Sequence, residues 1–156
     1  MNIKLTKFTK PLLYKNKFKY TIWYLISMLF VNTSIPFSKL KIFTLRLFGA
    51  KIKKGVIINS KINVKFPWNL TIGNDCWIGN DVWIDNTEMV SIGNDCCISQ
   101  GVYLVTGNHN FKKETFDYYG KEIVIEPHSW IGAKSIICPG VTIKKGSFIK
   151  VGSVIK

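Results

Sequence analysis

The sequence predicts an all-β domain, a parallel β-helix of hexapeptide repeats, preceded by a helical N-terminal extension. Three observations predict it. An aliphatic residue recurs at every sixth position from Ile52 onward, the residue two before it is usually small, and each interruption follows the third hexapeptide of a turn. The domain organisation expected is an extension over residues 1–49 and a β-helix over residues 50–156, with an inserted loop near 106–122.

The extension is apolar and basic. Residues 20–31 (YTIWYLISMLFV) form a nearly unbroken apolar run, shorter than the roughly 20 residues a membrane-spanning helix needs. Lys15, Lys17 and Lys19 precede the run, and Lys39, Lys41 and Arg46 follow it. Asn32-Thr33-Ser34-Ile35-Pro36 reads as a break, and residues 37–48 as a second apolar-basic helix ended by Gly49. Two compatible readings follow. One is a cap over the open end of the stack, which terminal repeats require; the other is an interfacial segment on the inner membrane with its lysines at the headgroups.

The repeat frame begins with Ile52, Ile58 and Val64, then Ile72, Ile78 and Ile84, then Ile92, Ile98 and Leu104. After a gap it resumes at Ile125, Ile131, Ile137, Ile143, Ile149 and Ile155. An amphipathic helix, with its period of about 3.6, does not hold such a frame. The positions two earlier include Cys76, Val82, Cys96, Val102, Ser129, Ser135, Val141, Ser147 and Ser153. Residues two apart in a strand face the same way, so one large and one small side chain point inward at each corner of a narrow triangular coil. Gly73, Gly79, Gly93 and Gly132 follow aliphatic positions, where positive φ is expected to help the chain turn. Cys76 and Cys96 fall in the small inward slot, where a thiol acts as a small hydrophobe. Cys97 and Cys138 fall outside it, and no CxxC pair with histidines suggests a zinc site.

The frame breaks between Val64 and Ile72, between Ile84 and Ile92, and between Leu104 and Ile125. All three insertions should leave the same corner of successive coils, about 5 Å apart along the axis. Insertions stacked on one face are the usual place for a binding site in a repeat protein. The longest begins Thr106-Gly107-Asn108-His109-Asn110. An imidazole there is a candidate general base for removing a proton from an acceptor hydroxyl; the competing structural reading is a histidine that hydrogen-bonds the base of its own loop.

Charge divides the chain. Residues 1–74 hold fourteen Lys or Arg and no Asp or Glu, whereas residues 75–156 hold eight basic and nine acidic side chains. A basic end on a neutral body argues against nucleic acid and for anionic lipid or a polyanionic ligand. With no secretory signal recognised, a cytoplasmic location, peripheral to the inner face of the membrane, is expected.

Four strings carry a resemblance: LRLFGAKI (45–52), FPWNLTIGNDCWIG (66–79), VSIGNDCCISQGVYLVTGNHN (90–110) and HSWIGAKSIICPGVTI (128–143). With them residues 49–156 resemble the hexapeptide-repeat O-acetyltransferases related to maltose, galactoside and nodulation-factor acetyltransferases. The WYLISMLF stretch and LRLFGA bring the chain nearest to the colanic-acid-biosynthesis branch. The resemblance implies a left-handed coil, acetyl-CoA as acyl donor with no metal, and a homotrimer with active sites between subunits. It also implies a sugar or glycan-precursor acceptor in exopolysaccharide, capsule or other surface glycan synthesis. By position it implies His109 as catalytic base, Asn86 with the adjacent Asp85 as acceptor-binding, and Trp130 lining the site. Backbone around Gly132, Ala133 and Ser135 would meet the pantetheine, Lys150 and Lys156 the phosphates, and Trp68 and Asn69 would border the acceptor pocket. His128 reads as structural. The zinc carbonic anhydrases that share such repeats need three histidines, and this chain has two.

The chain departs from the family pattern at Lys144 and Lys150, where a small turn residue is usual. Relatives also continue past the position of Lys156, often with Asp-Ile-Pro and Gly-Asn-Pro-Ala elements that help to cover CoA; the expectation is a shortened chain or a more open CoA site. Two rival functions use the same coil: N-acetylation of an amino-sugar nucleotide, and a non-catalytic scaffold at the membrane.

Overall fold

The computed structural model describes residues 17–156; Lys15 and the other residues of the 1–16 segment lie outside them. Two helices, α1 (Lys17–Phe30) and α2 (Ser38–Leu47), precede a coil that starts at Lys51. Gly49, at φ +103°, takes the chain out of α2 in a conformation that suits glycine.

Three five-stranded parallel sheets form the sides of a prism. Face A stacks Lys51–Ile52, Leu70–Ile72, Val90–Ile92, Ile123–Ile125 and Thr142–Ile143. Face B stacks Ile57–Ile58, Trp77–Ile78, Cys97–Ile98, Trp130–Ile131 and Phe148–Ile149. Face C stacks Asn63–Val64, Trp83–Asp85, Tyr103–Val105, Ile136–Ile137 and Val154–Ile155. The register joins Ile52, Ile72, Ile92, Ile125 and Ile143 in one column, and the columns through Ile58 and Val64 follow the same six-residue frame. The parallel β-helix expected from the repeat is therefore present, in five coils. Cys76 and Cys96 lie in the inward small slot, 2% exposed, with their thiols bonded to backbone carbonyls.

The glycines correct one expectation. Gly73, Gly79, Gly93 and Gly132 do not have positive φ. They are small because the next coil passes directly over them. A Cβ on Gly79 would lie 2.6 Å from the Gln100 nitrogen, and one on Gly132 would lie 2.6 Å from the Ile149 oxygen. The left-handed residue of each turn instead sits three after the aliphatic one: Gly55, Lys61, Asp75, Asp81, Asp95, Gly101, His128, Lys134, Gly140, Gly146 and Gly152. Asp and His tolerate this region better than most side chains, which gives His128 a backbone role. Its imidazole also lies 3.6 Å from the Asp95 carboxylate one coil below. Lys144 and Lys150 lie in the fifth coil, where both are exposed.

The helices close the first end of the prism. Trp23, Val31 and Leu45 are buried with the first coil in one continuous core. Polar contacts satisfy the edge that the first coil would otherwise leave open. Trp23 Nε1 donates to the Val64 carbonyl at 2.9 Å, the Lys61 amide to Thr33 at 2.8 Å, and the Ile58 amide to the Ser38 hydroxyl at 2.9 Å. Lys41 of α2 is 1% exposed, and its ammonium donates to the Val31 carbonyl at 2.7 Å and to Thr33. It holds the carbonyls beyond the end of α1, where positive charge is favoured, while burial lowers its pKa. Lys41→Met fills the space but leaves those carbonyls without their donor. The expected loss is about 1–3 kcal/mol, read as a lower denaturant midpoint with the coil's β signal retained at moderate denaturant.

Candidate active site

All three insertions leave the corner where face C passes into face A. The first contains a single helical turn at Pro67–Asn69, the second spans residues 85–89, and the third carries an antiparallel hairpin of Gly107–His109 with Tyr118–Gly120. They are tied to one another through buried polar side chains. Asn86, 0% exposed, donates through Nδ2 to the Phe66 carbonyl at 2.7 Å and the Asn69 carbonyl at 3.0 Å, and accepts the Phe66 amide at 3.0 Å. Asn69 in turn donates to the Asn86 carbonyl at 3.3 Å and the Thr87 carbonyl at 2.8 Å.

A line of hydroxyls joins the second insertion to the hairpin. Thr106, buried, accepts the Glu88 amide at 3.0 Å and donates to the Asp85 carbonyl at 3.2 Å. With its proton committed, it must accept from the Thr87 hydroxyl 3.1 Å away. Thr87 is then left to accept from the Tyr118 hydroxyl. In this order each hydroxyl gives its one proton, Tyr118 to Thr87, Thr87 to Thr106 and Thr106 to the Asp85 carbonyl. Burial raises the Tyr118 pKa, the Thr87 bond lowers it, and the Glu88 and Asp85 carboxylates raise it further; the net rise keeps the phenol a donor at neutral pH.

That line anchors the strand opposite His109. His109 and Tyr118 are register partners in the hairpin, and the Tyr118 ring lies 5.5 Å from the imidazole at 73°. The imidazole stacks on Phe116, with centroids 4.4 Å apart and planes parallel. Its Nδ1 sits 3.0 Å from the Phe116 carbonyl oxygen. A carbonyl can only accept, so Nδ1 carries the proton of the neutral ring and Nε2 carries the lone pair. Phe116 has φ +49°, an outlier for a bulky residue. The strained turn aims its carbonyl at the ring, a placement common at functional sites.

Tyr118→Phe would keep the ring against His109 and delete the bond to Thr87. The hairpin should then sit less firmly, lowering kcat about tenfold through misplacement of the imidazole with little change in KM for the acyl donor. Steady-state kinetics beside a circular dichroism spectrum check this.

On the face C side of the corner, Asp85 receives Lys65 at 2.9 Å and the Tyr103 hydroxyl at 3.3 Å. Burial, then the Asp85 carboxylate, pushes the Tyr103 pKa up to about 12, so the phenol is a donor throughout the neutral range. Trp83 stacks on Tyr103 at 4.7 Å. Asp85 retains 17% of its side-chain surface, whereas Asn86, the other residue expected to hold acceptor, retains none. Trp68 is turned to the extension: it packs edge-on to Phe66 at 5.5 Å and lies 4.2 Å beneath the Lys19 ammonium. Asn69 is committed to the insertions.

The residues expected at the donor lie elsewhere on the chain. Trp130 projects from face B, 52% exposed, its ring tilted against Phe148 with centroids 4.9 Å apart and its indole bonded to the Ser99 hydroxyl at 2.8 Å. Gly132, Ala133 and Ser135 follow at the corner between faces B and C. The Gly132 amide is bonded to the Ile149 carbonyl, and Ser135 is buried with its hydroxyl on the Lys150 carbonyl at 2.9 Å. Ala133 is half-buried, and Lys150 and Lys156 are exposed on the fifth coil. The chain thus carries His109, Asp85 and the insertions at one corner, and Trp130 and Ala133 on a different side. Phe116, Tyr118, Thr87, Tyr103 and Lys65 had no sequence signal of their own: Phe116 acts through the fold of its own hairpin, and the others through pairings across coils.

Comparison with known proteins follows this geometry. The family model described as "Hexapeptide repeat of succinyl-transferase" matches residues 69–105 and 122–156. The chain is 32% identical over 135 residues to "Putative colanic acid biosynthesis acetyltransferase WcaF" of Escherichia coli strain K12, covering 86% of this chain and 74% of that protein. Among solved structures, a maltose O-acetyltransferase from Clostridium difficile superposes with a TM-score of 0.77 at 25% identity, covering 94% of this chain and 79% of that one. A hexapeptide-repeat acetyltransferase from Vibrio cholerae, solved with acetyl coenzyme A, gives 0.81 at 20% identity, covering 91% and 78%; at that identity the likeness is one of fold.

Proposed function

The chain belongs to the hexapeptide-repeat acetyltransferases, and from that premise we propose that it transfers the acetyl group of acetyl-CoA to a sugar hydroxyl in surface-glycan synthesis in the cytoplasm. The observation that carries the proposal is the fixed imidazole of His109, its Nδ1 held on the Phe116 carbonyl 3.0 Å away. Nε2 takes the proton of the acceptor hydroxyl as that oxygen attacks the thioester carbonyl. The Nδ1–H bond to Phe116 steadies the imidazolium that forms. Collapse of the tetrahedral intermediate breaks the C–S bond, and the departing thiolate takes the proton back from Nε2. A backbone amide at a coil corner serves the oxyanion, and no covalent enzyme intermediate is required.

Asp85 is the best-placed group for an acceptor hydroxyl, since its carboxylate sits at the same corner and keeps solvent access. Asn86 acts through the corner it holds together. Acetyl-CoA would lie along Trp130 and Ala133, with Lys150 and Lys156 toward its phosphates. Because these groups and His109 occupy different sides of one protomer, a complete site requires the insertion corner of one copy against the B–C corner of another. A homotrimer meets that requirement, with three equivalent sites. The test is a mass-spectrometric screen of acetyl-CoA with neutral sugars, amino-sugar nucleotides and glycan precursors. Gain of one acetyl group as an ester supports the proposal. Amide products alone replace it with N-acetylation, and no product together with no acetyl-CoA binding by calorimetry leaves a scaffold.

A further inference from the structure

The extension does more than cover the coil. Helix α1 packs on the prism through Tyr20, Trp23 and Ser27, and on its opposite face it shows Phe18, Ile22, Leu25 and Leu29, which are 78%, 37%, 56% and 63% exposed. A helix that lies on a folded body and turns one apolar stripe inward normally keeps its other face polar. Helix α2 repeats the pattern: Lys41, Thr44 and Leu45 are buried, while Phe43 and Leu47 are 65% and 70% exposed. Exposed apolar surface on two adjacent helices marks a contact surface.

The charge beside it selects the partner. An open groove of about 470 Å³ runs between α2 and the first coil, and its lining includes Phe43 together with Lys39, Arg46, Lys53 and Lys54. No acidic residue precedes Asp75 in the sequence, and Asp75 itself, whose carboxylate lies against Gly55 at the groove, is outnumbered by these four cations. A second copy of the same surface would bring cations against cations, which is unfavourable. Apolar side chains rimmed by an excess of cations match the boundary between headgroups and acyl chains in an anionic bilayer. The 14 described residues of α1 span about 21 Å, and among the described residues no helix is long and apolar enough to cross a membrane.

We propose that the α1–α2 surface docks on an anionic phospholipid membrane, with Leu25, Leu29, Phe43 and Leu47 entering the interface and the Lys39–Arg46–Lys53–Lys54 groove receiving headgroup phosphate. This docking is independent of the acetyl-transfer reaction. Helix α1 packs on Phe66 of the first insertion, so the insertion corner sits close to the bilayer, two coils or about 10 Å above the docked end at the level of His109.

The full chain is tested by flotation with phosphatidylcholine vesicles, with and without phosphatidylglycerol. Wild type is expected to float with the phosphatidylglycerol vesicles, to stay behind with phosphatidylcholine alone, and to bind less at high salt. Leu25→Glu/Leu29→Glu, and separately Lys39→Gln/Lys53→Gln/Lys54→Gln, should each lower the partition coefficient at least about tenfold with an unchanged circular dichroism spectrum. Wild type failing to float with phosphatidylglycerol, or folded variants partitioning like wild type, would overturn the proposal. So would a fall in oligomer mass for the leucine variant without vesicle binding by wild type, which would assign the stripe to a protein contact.

Discussion

Replacing His109 with alanine is expected to lower turnover by roughly 10²–10⁴-fold, the usual contribution of a positioned general base, while leaving a folded protein. The two halves of that expectation have separate causes. The imidazole's contacts with Phe116 and Tyr118 lie within its own hairpin, and that hairpin projects from a coil whose columns continue through Leu104 and Ile125. Removing the ring therefore leaves the prism as it is. The acceptor hydroxyl, however, would have to attack the thioester without losing its proton to Nε2. Unchanged affinity for acetyl-CoA with a collapsed kcat is the signature of a group that acts in the transition state. Activity near that of wild type would remove His109 from the mechanism.

Asn86→Asp is expected to show the largest effect on stability. The two side chains have nearly the same shape, so packing is preserved and only hydrogen-bond chemistry changes. The carboxylate cannot donate to the Phe66 and Asn69 carbonyls that Asn86 Nδ2 now reaches at 2.7 and 3.0 Å. At about 1–3 kcal/mol for each bond left unmade in a fully buried site, the loss is roughly 2–6 kcal/mol. It should also depend on pH with a definite sign. Burial favours the protonated Asp, so its folded pKa lies above its unfolded value; the variant binds more protons when folded. Its stability relative to wild type is therefore greatest at low pH and falls as pH rises through the folded pKa. Denaturant titrations at acidic and neutral pH check this. A variant of normal stability with a raised acceptor KM would instead make Asn86 an acceptor ligand.

The coil was legible in the sequence because its rule is local. Each strand repeats one inward aliphatic residue, so a six-residue frame is enough to set the register of all three faces. The common corner of the insertions followed from the same arithmetic, and with it the position of His109. The extension as a cap was legible too, since a stack of repeats needs its open end covered. The glycines were misread because a sequence shows only that a residue is small. Whether the cause is a positive φ at that residue or the backbone of the next coil 2.6 Å away depends on which neighbours arrive.

By itself, then, the sequence determined the five-coil frame, the corner that carries the insertions, and the candidate base. Tertiary structure alone decided how that base is held. The carbonyl on Nδ1 comes from Phe116, seven residues on at a φ of +49°, and the hydroxyl line from Tyr118 through Thr87 and Thr106 to Asp85 crosses two coils. Tertiary structure also decided that Asn86 is buried and that Trp130 and His109 occupy different sides of the chain. The physical reason is the range of the interactions. Hydrophobic periodicity is written along the chain, whereas a hydrogen bond depends on which residues the coil stacks together, and no local pattern records that.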